Sequence, residues 1–360
     1  MAQPRIPSEW NGCTWAQLTE IYRIIGEKKG DRLERNLALW LMLSGMEIVE
    51  GEGEILDKGE YLFYFRRKDQ KVTKTITKNS INHKTPTINH QEDEEWFSAR
   101  ADDMALYLMG SRINDNDNHK QRIDDKLRKK YDRPGILDWV DNMVGHNGDG
   151  GLTMLPIETI SIGGKEWRLP SALITSITYE QYTNAQQLQQ AIWGLTEEVQ
   201  RRMKELEQRH QLDENSLEDI KQLTNELSHY RARMLSHMLL PAEKGAEYKS
   251  EDAEERTDFF LQHIDDHPHL LDILIQHLQS CLGVYKTQFP DLFSGDGSGS
   301  DVIPMVSEVN TINAIMKWQG YQEQQKVFDS NAIFIFSILN SMTKEAKAIE
   351  ESNAKMKRHK

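Results

Sequence analysis

Apolar residues recur every three or four positions between residues 188 and 238, and this spacing constrains the fold more than any other feature of the chain. Residues three and four apart lie on one face of an α-helix, so each helix would carry a single apolar stripe. A polar break at 213–216 divides the stretch into two helices, which predicts an antiparallel helical hairpin. The apolar positions are Leu188, Ile192, Leu195, Val199, Met203 and Leu206, followed by Leu217, Ile220, Leu223, Leu227, Tyr230, Met234 and Met238.

A short motif just before this hairpin echoes one near the N-terminus. Thr14 and Thr178 each precede an aromatic residue, and a glutamine follows each threonine three positions later, at Gln17 and Gln181. A threonine N-cap with glutamine at the third helical position is the capping-box arrangement. Both threonines are therefore predicted to begin helices. The echo itself has two interpretations, duplication of an ancestral unit or chance recurrence in a helical protein.

Four further helices are expected in the first half of the chain. Helical spacing predicts them over 15–25, from an N-cap at Asp31 to a stop at Gly45, over 92–110, and after Pro134. The stretch after Pro134 carries apolar residues at helical intervals up to residue 143. These helices would supply most of the apolar core of the first half.

Two stretches interrupt the helical pattern with strand-like sequences. The aromatic run 61–65 and the β-branched run 72–77 flank a polar turn, which predicts a β-hairpin. Two alternating runs on either side of Gly163 and Gly164 predict a second hairpin, because glycine tolerates the positive φ of a tight turn. Each hairpin is expected to pack on a helical surface.

Glycine-rich segments suggest the domain boundaries. The first break is 145–151, and 294–300 reads Ser-Gly-Asp-Gly-Ser-Gly-Ser, which is typical of a flexible linker. We therefore expect a mixed helix and hairpin domain over 1–150 and a hairpin followed by a helical domain over 151–293. A linker over 294–301 would lead to a C-terminal helical module over 302–360. The fold class predicted is mainly α (α+β), with helical bundles and two small β-hairpins.

Composition and charge exclude several classes of protein. The net charge of −13 over 360 residues opposes binding to nucleic acid, so no nucleic-acid partner is expected. Cys13 and Cys281 are too few for a disulfide framework and are predicted to be small core residues of a reducing compartment. We expect no membrane-spanning segment and no signal peptide, which favours the cytoplasm. The basic end 355–360 is interpreted as a frayed terminus, with contact to nucleic acid or to an acidic partner as the alternative.

The C-terminal module carries the predicted partner-binding face. Its last helix is apolar nearly all round at 333–339, so one side could pack on the preceding helix while another remains free for a partner. The alternative is a helix that is simply buried on all sides. The residues assigned to partner binding are Val327, Phe328, Ile333, Phe334, Phe336 and Leu339.

The segment 308–349 resembles the C-terminal helical part of proteins that tailed bacteriophages and prophages encode ahead of the tape-measure protein, where tail assembly chaperones usually lie. Two other blocks are similar to such proteins: Ile6-Pro7-Ser8-Glu9-Trp10 with Thr14-Trp15-x-Gln17, and Leu169-Pro170 with Thr178-Tyr179-x-Gln181-Tyr182. The resemblance implies a role in phage morphogenesis, in the host cytoplasm or in the virion, and it identifies no catalytic residue.

A cluster of histidines is the only candidate for metal chemistry that the sequence suggests. His263 and His267 have the one-turn spacing of paired metal ligands, and His269 and His277 follow closely. Pro268 interrupts the helix, and the glutamate of an H-E-x-x-H motif is absent. We therefore expect a solvated helix end, and neither a metal nor another cofactor.

Three functions follow from the sequence, in order of preference. The first is a non-enzymatic phage tail morphogenesis factor that binds tail proteins, with chaperone-like action on the tape-measure or tail-tube protein. It would use the helical faces at 333–339 and 199–238. The second is a structural virion component at the tail or the head-tail connector. The third is a metal-dependent enzyme that uses the histidine cluster. The oligomeric state is left open.

Overall fold

The computed structural model describes residues 6–28, 32–48, 54–55, 61–67, 97–100, 104–105, 107–108, 135–141, 151–209, 214–293 and 308–358. The chain divides into two compact units, Met1–Asn142 and Met143–Lys360. The described residues are mostly helical with small antiparallel sheets, so the predicted mainly α fold is confirmed. Residues 145–150 and the predicted linker 294–301 lie outside the described residues.

In the first unit, helix α1 (Trp15–Glu27) begins with the predicted capping box. The Thr14 hydroxyl accepts a hydrogen bond from the Gln17 amide at 3.3 Å, and the Gln17 side chain accepts one from the Thr14 amide at 2.9 Å. Helix α2 (Arg32–Ser44) ends before Gly45, whose φ of 67° is favourable for glycine. The predicted N-cap Asp31 lies outside the described residues.

Aromatic side chains form the core of the first unit. The ring of Trp10 is fully buried and meets the ring of Trp139 edge-on at 5.2 Å. Trp139 belongs to α3 (Asp138–Asp141), the helix predicted after Pro134. The carboxylate of Asp141 accepts a hydrogen bond from Arg35 at 2.6 Å and also pairs with Arg32, which ties α3 to α2.

The strands of the first unit pair around β3 (Tyr61–Arg67), the strand expected at 61–65. Strands β1 (Met46–Ile48) and β2 (Glu54–Ile55) share one edge of β3, and β4 (Phe97–Arg100) pairs with the other edge. The second strand of the predicted hairpin, 72–77, lies outside the described residues.

The predicted helix over 92–110 is wrong at 97–100, where the chain forms β4. An amphipathic pattern this short fits a period of two as well as a period of 3.6. The free edge of β3 decides between them, because its backbone groups require hydrogen-bonding partners. β4 supplies these partners, with Phe65 opposite Phe97 in the antiparallel register.

The second unit contains the predicted helical hairpin, formed by α4 (Tyr179–Arg209) and α5 (Glu214–Met238). The two helices are antiparallel, because Gln181 at the start of α4 donates from Nε2 to the carbonyl of His237 at the end of α5 at 2.9 Å. The second predicted capping box is therefore only half formed. The Thr178 hydroxyl accepts from the Gln181 amide at 3.1 Å, but the buried Gln181 side chain turns to α5 instead of returning to Thr178.

The second predicted hairpin is also confirmed. Strands β5 (Thr159–Ile162) and β6 (Lys165–Arg168) are joined by Gly163 and Gly164, with φ of 54° and 75°. A short strand that the sequence did not suggest, β7 (Leu240–Pro241), pairs with β6.

The remaining helices pack around this framework. The central one is α8 (Leu270–Gln288), which buries residues on most of its circumference. The others are α6 (Ser250–Glu255), α7 (Thr257–Gln262), α9 (Pro290–Phe293), α10 (Glu308–Gln319), α11 (Gln325–Phe328) and α12 (Ala332–Arg358).

Helices α10 to α12 belong to the second unit, whereas the sequence suggested a separate C-terminal module. The Tyr179 amide at the start of α4 donates to the Ser330 carbonyl at 2.8 Å, and Asn331 forms a β-bridge with Thr178. The ring of Phe336 meets the ring of Tyr182 edge-on at 4.9 Å. The apolar residues of α12 are thus part of the core that holds α4.

The loop before α4 contains backbone strain. Leu173 and Ile174 have φ of 53° and 50°, in the left-handed region that costs a residue with a Cβ about 1–2 kcal/mol. Two hydrogen bonds hold Leu173 there: its amide donates to the Thr153 carbonyl at 2.8 Å, and its carbonyl accepts from the Tyr285 hydroxyl at 2.6 Å. The side chain of Ile174 is fully buried, which compensates for part of the strain.

The hairpin turn between β5 and β6 provides a test of the packing. A Cβ at Gly163 would lie 2.6 Å from Nε2 of His263, whereas nothing lies within 4 Å of a Cβ at Gly164. Both alanine variants put a Cβ on a residue with a left-handed φ, which is unfavourable. Only Gly163→Ala also brings this Cβ too close to the His263 ring. Urea denaturation should show Gly163→Ala less stable than Gly164→Ala by about 1 kcal/mol or more.

The His263→Ala background controls for this interpretation. It removes the ring that the new methyl group would meet, so the difference between the two glycine variants should disappear there. Equal stability of the two glycine variants in the wild-type background would contradict the contact.

Candidate functional site

The structure buries three of the six predicted partner-binding residues in the interior of the second unit. Val327 and Phe336 are fully buried and Leu339 is 8% exposed. Phe328 and Ile333 are half-buried, and Phe334 is 44% exposed. The alternative interpretation of this segment, a helix buried by its own unit, therefore describes it better than a free binding face. The physical reason is the start of α4, whose Tyr182 needs an apolar surface to cover it.

The histidine cluster does not form a metal site. Residues 264–266 form a 3-10 helix and not an α-helical turn, so His263 and His267 do not share a helical face. Nδ1 of His263 donates to the Asp266 carboxylate at 3.1 Å, His267 donates to the Ser161 carbonyl at 2.9 Å, and His269 lies 3.8 Å from Asp272. No group of three or more potential ligands that could hold a metal occurs among the residues described.

The fourth histidine, His277, lies in the core beside a cysteine, an arrangement that sequence reasoning missed. Its Nδ1 is 3.0 Å from the Leu152 carbonyl and its Nε2 is 3.2 Å from the Ser171 carbonyl. The sulfur of Cys281, one turn along α8, lies 3.9 Å from the ring. Because burial lowers its pKa, the ring is neutral and carries one N–H, so it donates to one of these two carbonyls and ties that loop segment to α8.

This histidine and cysteine do not make a nucleophilic pair. Both side chains have no exposed surface, so a substrate cannot reach them. Burial raises the pKa of the Cys281 thiol to about 12 and lowers the pKa of His277, which are the opposite of a thiolate-imidazolium pair. Cys13 is also buried with its pKa raised to about 12 by burial, so the prediction that both cysteines are core residues is confirmed.

A second buried histidine, His237 near the end of α5, belongs to a polar network. Its Nε2 lies 3.0 Å from Glu254 on α6, and its Nδ1 lies 2.6 Å from the Tyr248 hydroxyl. Because a carboxylate only accepts, Nε2 must carry the hydrogen, and the neutral ring then accepts the Tyr248 hydrogen at Nδ1. The Tyr248 oxygen accepts in turn from Asn184 on α4 at 2.9 Å. Arg233 donates twice to Glu254, at 2.5 and 2.8 Å.

The carboxylate, imidazole and phenol of this network lie in the order of a proton relay, but their environment favours a structural role. His237 is 1% exposed and Tyr248 is 8% exposed. Burial raises the pKa of Tyr248 to about 12 and lowers the pKa of His237 against the opposing effect of Glu254. The phenol therefore keeps its hydrogen at neutral pH. The network fastens α4, α5 and α6 to one another at the base of the helical hairpin.

Beyond this base, the hairpin of α4 and α5 extends away from the rest of the unit. None of the residues 193–208 and 215–231 is buried, whereas Ile192 and Ala232, which flank them, are. At about 1.5 Å per residue, this part of the hairpin is about 25 Å long. We call these two stretches the arm. The described ion pairs within the arm, among them those of Glu198 with Arg201 and Arg202, join residues of the same helix, and such exposed pairs stabilise little. Arg231, at the base of the arm, instead lies 3.8 Å from Asp272 on α8.

The arm exposes large apolar side chains. Trp193, Met203 and Leu217 are 49%, 50% and 45% exposed. Met203 follows Val199 on the apolar stripe of α4, so the stripe is not fully covered by α5 near the tip. Two helices alone leave one side of their shared stripe open to water. In the part of the second unit that the structure describes, the arm is the longest stretch of paired helix without a buried residue.

Sequence reasoning found the helices of the arm and named 199–238 as a binding face, but it did not indicate how far the hairpin projects or the networks at its base. The three-four spacing of apolar residues is the same in a helix that packs into a core and in one that projects. A signal for projection exists in retrospect: the apolar side chains become sparser and the charged ones denser after Ile192. The partners of His237 and His277 come from distant segments, which no local pattern indicates.

No protein-family model, curated protein or solved structure matches this chain significantly. The likeness to phage proteins therefore remains a prediction from short blocks of sequence. Among the helices that the structure describes, none combines the length and the apolar character that a membrane-spanning helix needs.

The buried histidine of α8 predicts a dependence of stability on pH. The pKa of His277 is lower in the folded state than its ordinary value of 6.5, because burial disfavours the charged ring. The unfolded chain thus binds more protons as pH falls below about 6.5, so folded-state stability should decline there by up to about 1.4 kcal/mol per pH unit for each such group. Urea midpoints between pH 7.5 and 5 measure the decline, since both limits lie about a unit either side of the ordinary value.

His277→Gln removes this titration and should flatten the decline, even though the variant is less stable overall. His237→Gln is the companion variant, because burial lowers the pKa of His237 as well. A decline that is equally steep in both variants and in the wild type would show that other groups cause it.

Replacing Tyr248 by Phe tests the network at the base of the arm. The change leaves Nδ1 of His237 and Nδ2 of Asn184 without the hydroxyl that they contact, and an unsatisfied buried polar group costs about 1–3 kcal/mol. Thermal or urea unfolding should show this loss. In the Asn184→Ala background the loss should be smaller, because one of the two contacts is already absent, and an equal loss would argue against the coupled network.

Proposed function

We propose that the protein is a non-enzymatic assembly factor that binds other proteins through the arm of α4 and α5. The observation that supports this proposal is the exposure of Met203 and Leu217 on a helical projection whose base is fixed by buried contacts. An exposed apolar surface on a fixed scaffold is typical of protein interaction sites. His237 and His277 are themselves closed to solvent, which favours a role in stability over one in catalysis.

The partner is a helical segment with an apolar stripe of its own. The open side of the arm runs between two antiparallel helices, and a third helix laid along it would cover the stripe at Val199 and Met203. Helix-in-groove binding of this type uses apolar anchors three or four residues apart. It would turn the two-helix arm into a three-helix bundle with a covered core.

Tail proteins of a bacteriophage are the partner class that the sequence resemblance implies. A factor of this kind would cover apolar helices of the tape-measure or tail-tube protein until the tail assembles. The arm supports such a role because it offers its apolar side chains away from the body of the second unit. The host cytoplasm is the compartment that this proposal implies.

The double variant Met203→Glu and Leu217→Glu tests the binding surface. Both side chains are about half exposed, so the change should alter the free energy of unfolding by no more than about 0.5 kcal/mol per site. Burying two new carboxylates against an apolar partner should in contrast abolish co-purification with a co-expressed tail protein.

Met154→Glu is the matched control, because Met154 is 51% exposed but lies outside the arm. It should leave co-purification unchanged. Capture of tail proteins that survives the arm variant would contradict the binding surface. A failure of the wild-type protein to capture any tail protein would remove the proposed partner class.

A further inference from the structure

Helix α8 covers one side of the helical hairpin at its base. Nε2 of Gln279 on α8 donates to Oε1 of Gln189 on α4 at 2.8 Å. On α5, Arg231 lies 3.8 Å from Asp272 of α8. These contacts place α8 against both helices of the hairpin, as the third helix of a three-helix arrangement. On this side, the chain itself shows how a helix packs on α4 and α5.

Helix α8 stops at the base of the arm. The ring of Phe336 contacts both Tyr182 on α4 and Tyr285 on α8. Further along α4, Gln189 is paired with Gln279, which precedes Tyr285 in α8. α8 is therefore antiparallel to α4, and its first turn points towards the tip of the arm. Just before α8 the chain turns away to strand β5, to which it is hydrogen-bonded.

The side of the hairpin that α8 covers continues along the arm. Residues three and four apart share a helical face, so alternating steps of four and three residues follow this side to the tip. From Gln189 these steps reach Trp193, Thr196, Gln200, Met203 and Glu207 on α4. Backwards from Arg231 they reach Ser228, Thr224, Lys221 and Leu217 on α5. We call these residues the α8 side of the arm.

The large apolar side chains that the arm exposes all lie on the α8 side. Trp193, Met203 and Leu217 are each about half exposed. Most of the residues between them are polar without charge, and the two charged ones, Glu207 and Lys221, have opposite signs. The α8 side is thus suited to contact with an uncharged helical surface.

The opposite side of the arm is charged. Arg233 on α5 faces α6, and Glu226 lies two turns before it on the same face. On α4, Arg201 and Glu205 lie about half a turn round the helix from Met203 and form an ion pair at 2.5 Å. A helix packed on this side would have to desolvate these charges, which is unfavourable.

We infer that a helix of the partner protein packs on the α8 side of the arm, in line with α8, so that the three-helix arrangement at the base continues to the tip. This inference rests on the proposed function of the arm, and it adds which side binds and what chemistry the bound helix has. From Trp193 to Glu207 the α8 side is about 21 Å long, which corresponds to about four helical turns.

The contact face of α8 indicates the chemistry of the partner helix. Asp272 and Gln279 contact the hairpin, and Ile275 lies between them at helical spacing. This face mixes apolar and polar side chains, as the α8 side of the arm does. The partner helix therefore carries apolar anchors three or four residues apart, interspersed with amide or hydroxyl side chains. A strongly charged contact face would be unfavourable against Trp193 and Met203.

Cysteine labelling of the full chain distinguishes the two sides of the arm. Both native cysteines are buried, so a maleimide should label them slowly in the folded protein. Gln200→Cys on the α8 side and Arg201→Cys on the opposite side are a matched pair, because the two positions are adjacent and both exposed. Thr224→Cys and Glu226→Cys are the corresponding pair on α5.

Labelling rates are compared between each variant alone and its complex with whichever of the co-expressed tape-measure and tail-tube proteins co-purifies. Gln200→Cys and Thr224→Cys should be labelled about tenfold more slowly in the complex, as expected when the partner is at about ten times its dissociation constant. Arg201→Cys and Glu226→Cys should be labelled at nearly the same rate with and without the partner.

Equal or stronger protection of Arg201→Cys and Glu226→Cys would overturn the inference, although the arm would remain the binding surface. A complex in which none of the four cysteines is protected would overturn the arm as the binding surface as well. If neither tail protein co-purifies with the wild type, the proposed function fails and this inference fails with it.

Discussion

The ring of Phe336 packs against Tyr182 at 4.9 Å and against Tyr285 at 6.0 Å, and the architecture of the second unit depends on this contact. The three residues belong to α12, α4 and α8; Tyr285 follows Tyr182 by about a hundred residues, and Phe336 follows Tyr285 by about fifty. Aromatic pairs stabilise beyond the area they bury. The contact joins the start of the arm-bearing helix to the central helix and to the end of the chain.

Two helices project from the core that this contact organises. The arm continues α4 beyond Ile192, and α12 continues beyond Lys347 with exposed side chains at 348–356. In each case buried contacts fix the first part of the helix. Nucleation is the costly step in helix formation, so the exposed continuation only has to add turns to a helix that is already formed. The core therefore holds two projecting helices, and both expose large apolar side chains.

Local patterns predicted what local physics determines. The capping box at Thr14, the hairpin turn at Gly163 and the two helices of the arm follow from spacing and residue type, and all three are confirmed. The strand β4 and the side chain of Gln181 were missed because distant partners decide them: an open strand edge and the end of α5. The residues predicted to bind a partner on α12 are partly buried for a similar reason. A stripe of apolar residues does not reveal which of its members the rest of the chain will cover.

The strained pair Leu173 and Ile174 has a consequence for synthesis on the ribosome. The Tyr285 hydroxyl that holds Leu173 lies on α8, more than a hundred residues later in the chain. Until α8 has left the exit tunnel, the hydrogen bond from Tyr285 cannot form, so nothing on α8 offsets the strain of the left-handed backbone at Leu173. The segment before α4 then adopts another conformation. The second unit therefore cannot complete its folding while only its N-terminal part has been synthesised. The base of the arm would stay exposed until α8 is complete.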